Sequence, residues 1–126
     1  MTLFPGHTGS CTVEQIRELP GLSIRATHRS ADTHVLVRGI LDIDNAHALH
    51  ELAIDCLSRA RPLIIDIKGA VSTDTAGAAV LLHIYAVARE SGCLLSIVNP
   101  VPSVNKVLAL LHLDRILPVY PAVMQG

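Results

Sequence analysis

Pro62-Leu63-Ile64-Ile65-Asp66-Ile67-Lys68-Gly69-Ala70-Val71-Ser72-Thr73-Asp74-Thr75-Ala76-Gly77 reads as a strand, a short loop and the head of a helix. Leu63 to Ile67 is a short apolar run rich in β-branched residues, which suits a strand buried on both faces. Lys68 to Thr73 is expected as the loop leaving it. From Thr75 to Glu90 the chain has no proline and is rich in alanine and leucine, so a helix is predicted there. Asp74 is a favoured N-cap, its carboxylate accepting from an orphan backbone N–H of the first turn. The Thr75 hydroxyl then stands at the partly positive end of the helix.

Wound at about 100° per residue, that helix has two distinct sides. Gly77, Val80, Leu81, Ile84, Val87 and Ala88 gather on the side that would rest on a sheet. Thr75, Ala79, Leu82 and Ala86 line the opposite side, where an ordinary surface helix carries charge. A hydroxyl at the head of a smooth, weakly apolar stripe marks a contact surface. The plainer alternative is that another element of the same chain covers the stripe.

Beyond this stretch, composition narrows the class. A chain of 126 residues suits one domain with a sizeable core. Hydrophobic residues make up 50% but aromatics only 2%, so the core is expected to be built from Leu, Ile, Val and Ala. The net charge of −1 leaves no basic surplus to point to nucleic acid. No apolar run approaches the ~20 residues of a membrane span, and the N-terminus lacks the basic-then-apolar pattern of a signal. Cys11, Cys56 and Cys93 are widely spaced without a C-x-x-C, which fits buried thiols in a reducing cytoplasm better than disulfides or zinc.

Taken in order, residues 1–20 carry little pattern. Thr12 with Gln15 can cap a short helix carrying Val13, Ile16 and Leu19. A flexible arm is expected over 1–20, followed by a single domain over 21–126. Leu22, Ile24 and Ala26 then alternate with polar residues, Arg29 to Asp32 makes a turn, and His34 to Ile40 gives a second strand, hence an antiparallel hairpin. Asp44 is expected to cap a helix over about 45–60, with Ala46, Leu49, Ala53, Cys56 and Leu57 inside. Ser91-Gly92 breaks the central helix, and Cys93 to Val98 is a further strand. Pro102 or Ser103 opens a third helix with Val104, Val107, Leu108 and Leu111 on one face. Ile116 to Tyr120 is an edge strand, because Pro118 excludes a central one. Strands alternating with helices after residue 40 predict an α/β fold with a largely parallel sheet.

Catalytic and metal chemistry find little support. His47 and His50 are three apart with Asp44 one turn earlier, a spacing that can offer metal ligands, yet no third strong ligand is fixed nearby. A solvated helix face explains the same pattern, so no metal and no cofactor are expected. His83 reads as a surface residue, and His7, His28, His34 and His112 show no partnership. There is no Gly-x-Ser-x-Gly elbow, Gly-x-Gly-x-x-Gly or Walker loop. Capping and strand-end roles account for Asp42, Asp44 and Asp66, so an enzyme is not expected.

The stretch from Pro62 to Gly77 resembles the signature of STAS domains, the bacterial anti-sigma-factor antagonists. There a buried strand and short loop lead to Asp-Ser-Ser-Gly or Asp-Thr-x-Gly at a helix start, as in Asp74-Thr75-Ala76-Gly77. Gly39-Ile40-Leu41-Asp42 is similar to the family's Gly-Glu-Leu-Asp after the second strand, and Gly92 to Val98 to its next glycine and strand. The resemblance covers about residues 22–120. It implies a STAS-like fold: a mixed, mostly parallel sheet with an N-terminal antiparallel hairpin and helices packed on the sheet.

The resemblance also implies a mechanism. Family members bind an anti-sigma factor that is also a serine/threonine kinase with an ATP-binding, histidine-kinase-like fold, and so free the sigma factor. Phosphorylation of the hydroxyl residue after the motif aspartate breaks the complex, and a phosphatase restores it. Carried over, Thr75 is the phosphate acceptor, and Asp42, Asp74, Thr75, Ala76, Gly77, Ala79, Leu82 and Ala86 form the partner surface. Gly77 also allows close helix–sheet packing. No nucleic acid and no membrane insertion are expected, and the chain is expected to be a monomer or weak dimer. Asp74 to Gly77 with Leu81-Leu82-His83 also resembles small STAS subunits that dock on the ATPase of a lipid-transport complex, an alternative without kinase turnover.

Overall fold

Leu63 to Ile67 forms the expected buried strand, and the sheet is assembled around it. The computed structural model describes residues 13–121 apart from residue 60. Strands β1 (Val13–Leu19), β2 (Leu22–His28), β3 (Thr33–Leu41), β4 (Leu63–Thr73), β5 (Leu95–Val98) and β6 (Val119–Tyr120) follow one another across a six-stranded sheet. β1, β2 and β3 are antiparallel neighbours, whereas β3, β4, β5 and β6 run parallel. The parallel strands are joined through α1 (Ala46–Leu57), α2 (Thr75–Ser91) and α3 (Pro102–Leu110). This is the mixed α/β, STAS-like arrangement expected from the sequence.

The period of two along the strands divides the sheet into unlike faces. Leu22, Ile24, Ala26, Val35, Val37, Leu63, Ile65, Ile67, Leu95 and Ile97 are buried in one cluster with Leu49, Leu52 and Ala53 of α1 and Leu81, Ile84 and Ala88 of α2. On the other face Arg25, Arg38 and Lys68 are exposed and Ser23, Thr27 and Leu36 half-buried. No aromatic ring belongs to the buried cluster, so branched aliphatic side chains fill it, as composition required.

Four expectations need correction. Val13 to Leu19 is a strand, not a helix within a flexible arm, and the boundary placed at 20/21 falls inside the β1–β2 hairpin; residues 1–12 lie outside the described residues. Pairing with the whole length of β2, closed by Pro20-Gly21, overrides the weak helical period of a segment exposed on both faces. Lys68 to Thr73 is not a loop, because β4 continues alongside β3 as far as Leu41↔Thr73, absorbing two register shifts on the way. α1 begins after Asn45 rather than Asp44 and ends at Leu57. The last strand is only Val119–Tyr120.

β1 is fastened to its neighbours by side chains as well as by the ladder. Buried His28 meets Gln15 Oε1 through Nε2 at 2.7 Å and Thr33 Oγ1 through Nδ1 at 3.3 Å. The network is satisfied when Nε2 carries the proton and donates to Gln15, while Nδ1 accepts from the Thr33 hydroxyl. Burial, reinforced by the charges of Arg59 and Arg61, holds the His28 pKa below its usual value and keeps the ring neutral. Arg17 adds an exposed ion pair to Glu51 of α1 at 3.3 Å.

Candidate functional site

Asp74 organises the site. Its Oδ1 accepts from the Gly77 N–H at 2.9 Å, the N-cap bond expected from the sequence. Its Oδ2 accepts from the Ile43 N–H at 3.2 Å in the loop between β3 and α1. One carboxylate therefore clasps the head of α2 to the end of β3. The Asp74 N–H donates to Leu41 O at 3.3 Å, and the Thr73 hydroxyl donates to the same carbonyl at 2.9 Å. The far end of α2 stops where the sequence places its break, at Gly92, whose φ of 74° is the left-handed conformation of a helix C-cap.

Gly77 is the close-approach point. A Cβ there would lie 2.5 Å from Leu41 O and would collide with the Thr73 hydroxyl. Gly77 is buried on the inner side of α2, against the end of β3. Asp42 is half-buried and its Oδ1 accepts from the Asp44 N–H at 3.0 Å. Buried Asn45 completes the loop, accepting from the Asp42 N–H at 3.0 Å and donating to Ile40 O at 2.9 Å. The loop beside Asp74 is thus held in one shape by side-chain bonds to backbone.

Thr75 is exposed as the first residue of α2, and among the described residues its hydroxyl has no hydrogen-bond partner. Ala79 and Ala86 are exposed along the same side of the helix and Ala76 is half-buried. Leu82 is half-buried against the core, so the outward stripe is interrupted there: the side chain leans inwards more than an ideal helical wheel allows. Ile43 was not among the expected contact residues, yet it is 73% exposed and its backbone is bonded to Asp74. An isoleucine between Asp42 and Asp44 in a loop is the sequence signal that would have found it. Thr75, Ala79 and Ala86 are thus exposed along one side of α2, and Ile43 is exposed in the loop that Asp74 holds to its head.

His50 is half-buried, its ring edge-on to His83 with centroids 4.6 Å apart; His83 is exposed, as expected, and also links α2 to α1. His47 is exposed, and among the described residues no three His, Cys, Asp or Glu side chains form a metal-binding group. His34 approaches the buried Asp66 at 3.5 Å, and Asn99 donates to the same carboxylate at 3.1 Å. Burial pushes the Cys56 thiol up to about 11, which keeps it protonated and unreactive. No helix among the described residues is long and apolar enough to cross a membrane.

Comparison with known proteins agrees with this geometry. No curated protein sequence matches the chain. Residues 24–118 match the family model described as "Mlab, STAS domain". Among solved structures, a Thermotoga maritima protein provisionally described as an anti-sigma factor antagonist is 26% identical, with a TM-score of 0.61 over 71% of this chain and 80% of that one. An anti-sigma factor antagonist from Mycobacterium paratuberculosis is 20% identical with a TM-score of 0.67, covering 90% and 88% of the two chains. The antagonist SpoIIAA in its unphosphorylated form is 15% identical with a TM-score of 0.65, covering 89% and 90%. Its phosphorylated form from Bacillus is 13% identical with a TM-score of 0.59, covering 89% and 93%. With the family model matching most of its length, its strand order and its Asp-Thr-x-Gly helix head, the chain belongs to the STAS-domain family.

Proposed function

We propose that this chain is an anti-sigma-factor antagonist whose binding to an anti-sigma factor kinase is switched off by phosphorylation of Thr75. The observation carrying this reading is the exposed Thr75 hydroxyl at the first position of α2, unpartnered among the described residues, with Ile43, Ala79 and Ala86 exposed beside it as the docking surface. Phosphate on Thr75 adds about −1.5 to −2 charges and three acceptor oxygens. The fold tolerates them, because the N-terminal N–H groups of α2 and its dipole favour an anion. A docked partner does not, because the new charge lies next to Asp74 on a surface that association must dehydrate. Modification therefore ends binding and leaves the domain folded, and a phosphatase acting on phospho-Thr75 resets it. The protein is the substrate of a kinase and performs no catalysis itself.

The test is the intact mass of the chain after incubation with ATP and histidine-kinase-like anti-sigma factors from the same genome, wild type beside Thr75→Ala. A single phosphate adduct that disappears in Thr75→Ala, with loss of the complex on modification, is the expected result. A stable complex with an ATPase and no adduct selects the second reading, a standing STAS docking subunit. That reading is favoured by the description of the matching family model and by its resemblance to the STAS subunits of lipid-transport ATPases.

A further inference from the structure

The face of the sheet turned away from α1 and α2 holds an unusual pair of charges. In the β2–β3 ladder Arg25 is opposite Leu36 and Arg38 is opposite Ser23. The two arginines therefore stand diagonally across a two-by-two block of side chains on the same face, a separation long side chains can span. Between the four side chains lies a cleft of about 70 Å³ lined by Ser23, Arg25, Leu36 and Arg38 alone.

Among the described residues neither arginine forms an ion pair. Every Asp and Glu of the chain falls within the described residues. The ion pairs they form are Arg17–Glu51, Arg29–Asp32, His34–Asp66, Arg59–Asp55 and Lys68–Asp66. Glu14 and Glu18, both diagonal to Arg25 across the β1–β2 register, are the carboxylates placed nearest by pairing, and neither forms an ion pair with either arginine. Two like charges set diagonally on neighbouring strands are mutually unfavourable. The fold gains nothing from that repulsion, whereas a bound anion would turn it into attraction.

We propose that the cleft between Arg25 and Arg38 binds a phosphate-class oxyanion. Two guanidinium forks present parallel N–H donors to tetrahedral oxygens, and such charge-assisted pairs are the strong class of hydrogen bond. The Ser23 hydroxyl adds a third donor, and Leu36 supplies an apolar wall that excludes water on one side. The Lys68 amine stands in the neighbouring part of the same face, where it pairs with Asp66 at 3.8 Å. The site is on the opposite side of the sheet from Thr75, so it is independent of the phosphorylation reading.

The experiment is a titration of the full chain with inorganic phosphate at constant ionic strength, followed by amide chemical shifts. Saturable shifts centred on Ser23, Arg25, Leu36 and Arg38 are expected, with Arg25→Ala or Arg38→Ala each weakening the affinity about tenfold. Arg38→Lys, which keeps the charge and loses the fork, should recover only part of it. Both arginines are exposed, so the variants should melt with the wild type. Flotation with phosphatidylcholine vesicles, with and without phosphatidate, separates the sources of the oxyanion. Phosphatidate-dependent binding lost in Arg38→Ala supports the site and places the phosphate on a lipid headgroup. No response to either probe, or an unchanged response in the double Arg25→Ala/Arg38→Ala variant, overturns the proposal.

Discussion

Gly77 has no room for a side chain, because the Thr73 hydroxyl and Leu41 carbonyl already occupy the space a Cβ would take. Gly77→Ala should therefore destabilise the chain by about 1–3 kcal/mol through overpacking, read as a lower urea midpoint. Loss of partner binding without that shift would show instead that the glycine is a contact residue. His28 makes a second prediction. Its native pKa lies below the ordinary 6.5, so at mildly acidic pH the unfolded chain binds a proton that the native state refuses. Stability should fall as pH drops below that ordinary value towards the native-state pKa, and level off beneath it. Urea midpoints at about pH 7.5 and about pH 5.5 should show the slope, and His28→Gln should flatten it. Asp74 and Thr75 were legible because a helix cap is a local device spanning three residues. The partners of His28 and His83 were not, since Gln15, Thr33 and His50 reach them through strand and helix packing that no local spacing records.

Helix α2 was the most readable element, with Asp74 at its head, Gly92 at its foot and an alanine-rich body between them. Its two sides were also largely legible, apart from Leu82, which the packing draws inwards. β1 was the least readable: both its faces are mostly exposed, so no alternation of burial stamps its sequence, and only the ladder to β2 makes it a strand. β4 was half-read, since the apolar run ends at Ile67 while the pairing with β3 continues to Thr73. At this scale the proposed docking surface is made by an element and a loop together. Ile43→Arg and Ala79→Arg should each weaken partner binding at least about tenfold, the loss of one well-placed contact, and leave the melting temperature near wild type. Thr75→Asp should do the same by mimicking the modified state. A matched fall in melting temperature for all three would mean that the surface is covered by the chain itself.

At the scale of the whole molecule, α1 and α2 bury one face of the sheet, and on the other face Arg25, Arg38 and Lys68 are exposed. Strand alternation with helices made this class legible, and the Asp-Thr-x-Gly head made the family legible. Which face stays open could not be read, because the Arg25–Arg38 cleft exists only once β2 and β3 are in register. The two borders of the sheet differ just as much. β1 offers a ladder from Val13 to Leu19, whereas β6 offers only Val119 and Tyr120 after a proline that has no N–H to give. Among the described residues, strand-to-strand association therefore has one long border to use, that of β1. Copies joined along β1 by a two-fold axis would use up that border and terminate as a pair, with no second long edge among the described residues from which a fibre could grow.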